Sequence, residues 1–108
     1  MPWLSLLSYF LGGAFLANAV PHVVNGAMGR PFQSPFAKPP GKGLSSSTVN
    51  VLWGFFNLAA AYLLVCRVGD FGWRDTPDVI ALGAGALASA LFCARHFGSL
   101  HGGNQVER

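Results

Sequence analysis

Three stretches of this chain carry no charged side chain over a length that matters physically. Trp3 to Val24 contains no Lys, Arg, Asp or Glu, Thr48 to Cys66 is charge-free until Arg67, and Val79 to Ala94 until Arg95. A hydrocarbon core of ~30 Å asks for roughly 20 residues of helix, with a lower limit near 17. The first two runs meet this, and the third does once its opening turn at Pro77 and Asp78 is counted. None of them alternates polar with apolar, and all are rich in Ala, Leu and Gly, which disfavours the strands of a membrane barrel. Composition agrees: 10% of residues are charged and 52% hydrophobic, against ~25% charged for a soluble domain. The expected fold is all-α, an integral membrane protein with three transmembrane helices, forming a single membrane domain over residues 1–108.

Local signals set the boundaries. Helix one is expected over about 3–24, a loop over 25–47, helix two over about 48–66, a second loop over 67–76, helix three over about 77–97 and a tail over 98–108. Ser45, Ser46 and Ser47 supply N-cap hydroxyls before the second run. Thr76, Pro77 and Asp78 supply a cap, a first-turn proline and an acid near the positive end of the helix dipole. Gly98 reads as a stop for helix three. Pro21 removes the hydrogen bond to the carbonyl of Ala17, so a kink or early end of helix one is expected. Ala17-Asn18-Ala19 has the form of a signal-peptide cleavage site, but no Lys or Arg precedes it, and the segment is read as a retained helix.

Basic residues orient the spans. The first loop and the tail hold Arg30, Lys38, Lys42, Arg95 and Arg108, while the opposite side holds Arg67 and Arg74. The richer side is expected to be cytoplasmic, with the N-terminus outside and the C-terminus inside. Trp3 and Trp73 then share the outer interface. The net charge of +3 reads as attraction to the bilayer and its anionic head groups, since a nucleic-acid surface needs a denser basic stripe. Cys66 and Cys93 fall toward opposite membrane faces, too far apart for a disulfide.

Polar residues inside the spans are the candidates for chemistry. Asn18, His22 and Asn25 are spaced to share one face of helix one, and Asn50, Gly54, Asn57 and Ala61 form a line on helix two with Trp53 beside it. Facing lipid, such groups lack partners at a cost of a few kcal/mol each, so both faces are expected to turn inward or toward another subunit. Two explanations stand: interhelical glue, or a proton-exchanging or ligand-binding role for His22. Cys93 and His96 have i, i+3 spacing suited to one metal ion, but a third ligand is undetermined, and no motif for a metal or cofactor occurs.

Between helices one and two, Pro31, Pro35, Pro39 and Pro40 forbid regular helix, and Phe32 and Phe36 call for apolar partners. The segment is expected to be an ordered connector folded onto the helix ends or lying in the interface. Its cations Arg30, Lys38 and Lys42 suit anionic lipid head groups or a phosphorylated substrate. Gly41-Lys42 does not form a phosphate-binding loop, because Phe36 occupies the place of the required first glycine and Gly43 follows the lysine.

Helix three offers a line of small residues, Ala81, Gly85 and Ala88 or Ser89, for close packing within the chain or between subunits. The leading functional expectation is therefore a non-enzymatic membrane subunit, self-associating as a homo-oligomer or accessory to a membrane complex. One alternative is a small-solute transporter or channel using the Asn/His stripe. Another is a membrane enzyme on a lipid-soluble substrate, with His22 as base, Asn25 as donor and Arg30 as anion clamp. In length and hydrophobicity alone the chain resembles compact multidrug exporters, but no membrane-embedded Asp or Glu is present to couple protons to a cationic substrate, and there are three spans.

Overall fold

The computed structural model describes residues 2–104. It contains three helices, α1 (Pro2–Ala27), α2 (Ser47–Cys66) and α3 (Thr76–His101). Each is long and apolar enough to cross a membrane; even α2, with 20 residues, rises about 30 Å. The connection from α1 to α2 holds a feature that an all-α reading omits. Strand β1 (Phe32–Gln33) pairs antiparallel with β2 (Leu44–Ser45), Phe32 opposite Ser45 and Gln33 opposite Leu44.

Several helix ends differ from the sequence expectation, each for a visible reason. Pro21 does not end α1, which continues to Ala27. There Gly29, at φ 75°, closes the helix: its N–H reaches the carbonyl of Gly26 and that of Arg30 the carbonyl of Asn25, a left-handed cap that glycine adopts without strain. Gly98 does not stop α3. The helix runs on to His101 and ends at Gly102, φ 73°, with the carbonyl of Gly98 accepting from Gly102 and Gly103. At the start of α3 the cap position belongs to Asp75, not Thr76, and its side chain makes no capping bond. Asp78 instead reaches back, accepting from the N–H of Gly72 at 3.0 Å. Ser46 caps α2 through the N–H of Val49. Arg108, counted in the charge tally above, lies outside the described residues.

Helix α1 is the centre of the molecule. It packs along both other helices, which have almost no contact with each other. Against α2 it runs antiparallel: Ser8 donates to the carbonyl of Leu64, Asn18 meets Asn57 and His22 meets Asn50. Against α3 it runs parallel at an offset of 75 residues, with Cys93 donating to Asn18 and Phe97 edge-on to His22. Glycines permit these approaches. A Cβ on Gly54 would strike Val23, one on Gly26 would strike Ser47 and Val51, and one on Gly85 would land on the backbone of Phe10. Gly85, part of the small-residue line on helix three, is thus spent inside the chain.

The core is inverted relative to a water-soluble protein. Among the described residues the buried hydrophobics are Tyr9, Ala19, Phe32, Ala37 and Ala61, whereas the buried polar residues are Ser8, His22, Gln33, Ser34, Asn50, Asn57 and Asp78. Large side chains such as Leu52, Phe55, Phe56, Leu87 and Phe92 are exposed. Burial of apolar surface from water therefore does little to hold the three helices together; close backbone packing and internal hydrogen bonds do.

This packing predicts opposite effects at two neighbouring glycines. Gly85→Ala must displace α3 from α1 and should destabilise the chain by about 2 kcal/mol. Gly83→Ala, with nothing within 4 Å of the new Cβ, should be neutral or stabilise by up to about 1 kcal/mol through helix propensity. Unfolding titrations in mixed micelles, followed by circular dichroism, measure both.

Candidate functional site

The polar stripes of α1 and α2 meet within one chain. The four buried residues of α2 are Asn50, Gly54, Asn57 and Ala61, and the two asparagines face α1. Nδ2 of Asn18 donates to Oδ1 of Asn57 at 3.1 Å, and Nδ2 of Asn57 donates to the carbonyl of Trp53 at 2.8 Å in its own helix. One turn further along α1, Nδ1 of His22 lies 2.7 Å from Oδ1 of Asn50.

Asn50 is a junction. Wholly buried, its Nδ2 faces the carbonyls of Phe32 at 3.0 Å, Ser45 at 3.2 Å and Ser46 at 3.0 Å. Only an N–H group satisfies three carbonyls, so Oδ1 is the atom turned toward His22. A carbonyl oxygen accepts, so Nδ1 of neutral His22 carries the ring hydrogen and Nε2 keeps a lone pair. That nitrogen has no hydrogen-bond partner among the described residues.

Every histidine in the chain secures the same connection. His22 does so through Asn50. Nε2 of His96 donates to the carbonyl of Gly41 at 2.6 Å, and Nε2 of His101 lies 2.8 Å from Oε1 of Gln33. Ser34 and Ser45 hydroxyls meet at 2.5 Å across the strand pair. Phe32 is buried, its ring 4.6 Å from Phe97, 5.5 Å from His101 and 5.6 Å from His22. Phe36 differs: it is exposed, edge-on to Trp53 at 5.3 Å.

Beneath this cover is a cavity of about 270 Å³, lined by Asn18, His22, Gln33, Trp53, His96 and Phe97 among others. A second cavity continues it along α1 through Asn18 and Trp53 to Asn57 and Ser89. Together they form a cleft with α1 as its floor and α2 and α3 as its walls.

The other sequence candidates lie elsewhere. Nδ2 of Asn25 donates to the carbonyl of Pro21, and the residue lines a different cavity with Val24 and Ala94, so it does not assemble with His22. Arg30, Lys38 and Lys42 are exposed on the connection. Cys93 turns to Asn18 and His96 to Gly41, and no group of three or more metal-ligating side chains gathers among the described residues. Gln33, Ser34 and Phe97 join the site without any sequence signal of their own. Only the offset between α1 and α3 brings Phe97 to His22.

In comparisons with protein-family models, curated proteins and solved structures, nothing matches this chain.

Two outcomes test the junction. Nitrogen NMR of histidine-labelled protein should show His22 protonated at Nδ1, the less common neutral form. Asn50→Leu removes the bonds to three carbonyls and to His22 and should cost about 3 kcal/mol. Amide exchange across residues 28–46 should then rise more than that in the middle of α2.

Proposed function

We propose that this chain is a multi-pass membrane subunit without catalytic activity, which self-associates or joins a larger membrane complex. Membrane insertion is supported by the inverted core: polar side chains pair inside while large apolar ones face outward, an arrangement stable in lipid and costly in water.

The observation that carries the subunit reading is the cleft. Because α2 and α3 scarcely touch, the floor formed by Asn18 and the walls at Trp53 and Ser89 are left uncovered along the middle of the helices. Asn18 uses Nδ2 for a single bond to Asn57, which leaves one amide hydrogen unspent in a region where lipid offers no acceptor. A helix from a second copy or from a partner supplies both the missing acceptor and the missing packing.

Charge supports an orientation. Among the described residues, the end bearing the strand pair has Arg30, Lys38, Lys42 and Arg95 and no acid, whereas the opposite end mixes Arg67 and Arg74 with Asp70, Asp75 and Asp78. The strand-pair end is therefore assigned to the cytoplasm, where its exposed cations meet anionic head groups.

Two measurements test these assignments. Chemical cross-linking in native membranes, followed by mass determination in mild detergent, should give a dimer or larger species, and Asn18→Leu should weaken it. A clean monomer without a partner removes the subunit reading. Cys66, exposed at the end of α2, should react from outside intact cells with a membrane-impermeant maleimide. Labelling only in inverted vesicles reverses the orientation.

A further inference from the structure

The cavity at His22 has a chemistry that helix packing does not require. Nδ1 of His22 is committed to Asn50, and Nε2 is left with a lone pair. Among the described residues no side-chain nitrogen or oxygen sealed from its surroundings lacks a partner, so the unpartnered Nε2 opens onto space, and the space that His22 lines is this cavity. The remaining walls are mixed: Trp53 and Phe97 lie 6.3 Å and 6.0 Å from the His22 ring, both edge-on, and Phe92 adds a third ring, while Asn18, Ser34 and His96 contribute polar groups. Gln33 adds an amide whose oxygen is occupied by His101.

Size narrows the occupant. About 270 Å³ exceeds the ~150 Å³ that encloses one benzene ring and falls below most drug-sized sites. The space beside His22 accommodates one substituted ring, and its continuation along α1 past Asn57 and Ser89 is a separate lobe of the cleft. The walls beside His22 on α2 and α3, two helices that scarcely touch, include Trp53 and Phe92. Phe92 is exposed, so a tail on that ring leaves between the two helices. With the lone pair of Nε2 as its open acceptor and aromatic rings beside it, the site selects a ring that carries a hydrogen-bond donor.

We propose that the cavity binds the hydroxylated aromatic head group of a lipid-soluble molecule, a phenol or quinol, with its hydroxyl donating to Nε2 of His22 and its tail passing between α2 and α3. This binding needs the membrane setting proposed above but not self-association: a partner helix covers the middle of the cleft at Asn57 and Ser89, whereas the tail leaves at the strand-pair end beside Phe92.

The test uses the full chain in lipid nanodiscs with Trp3→Phe and Trp73→Phe, so that Trp53 alone reports. Pentylphenol and its methyl ether are the probes. The phenol should bind saturably and about tenfold more tightly than the ether after correction for lipid partitioning, the difference expected for one desolvated hydrogen bond. His22→Phe keeps a ring but no acceptor and should abolish the preference. A non-saturating signal, equal affinities, or a preference retained in a folded His22→Phe protein overturns the proposal. Should that variant fail to fold, nitrogen NMR of the histidine-labelled protein decides: the Nε2 resonance of His22 must move with phenol and not with ether. Failure in protein that fractionates with membranes overturns this binding alone and leaves the subunit reading standing.

Discussion

An amide buried where neither water nor lipid reaches it must find every partner inside the chain, and Asn50 does so across three parts of the molecule. Its oxygen takes the hydrogen of His22 from α1, and its nitrogen faces Phe32 in β1, Ser45 in β2 and Ser46 at the cap of α2. In a low-dielectric interior such bonds are strong, and a missing partner costs correspondingly more. One side chain therefore couples helix register, the strand pair and the tautomer of the histidine. The open nitrogen of His22 is a consequence of that coupling.

The helices have a different basis for contact. With few apolar side chains buried between them, α1, α2 and α3 rely on backbone proximity at Gly12, Gly26, Gly54 and Gly85, supplemented by hydrogen bonds such as that from Ser8 to Leu64. Both surfaces of α1 are used in this way, which makes it the axis. Its two partners are held apart, and the cleft between them is the geometric result. Asn18, Asn57 and His22 line it from the faces that α1 and α2 turn toward each other.

Much of this was legible in the residues. The period of Asn50, Gly54, Asn57 and Ala61 identifies the face of α2 that is buried, because a polar or small residue at helical spacing has no other stable place in an apolar segment. The limits of α2 follow from serine capping and from Arg67. The ends of α1 and α3 were less legible. A proline or glycine has a local preference against helix, but Pro21 and Gly98 lie where tertiary contacts continue the helix past them. The strand pair was not legible at all: Phe32, Gln33, Leu44 and Ser45 have no alternating pattern, and their pairing exists because Asn50 and the histidines hold the connection in place.

Helix number, length and the inward polar faces follow from hydrophobic run length and residue period, which are properties of the chain alone. Which polar group meets which is a property of relative placement. Asn25 shares the stripe of His22 yet bonds within its own helix, while Gln33 and Phe97, far apart in sequence, close the same cavity. Periodicity specifies a face of one helix. Only the antiparallel register of α2 and the parallel offset of α3 decide what that face touches, and so which nitrogen of His22 is left free.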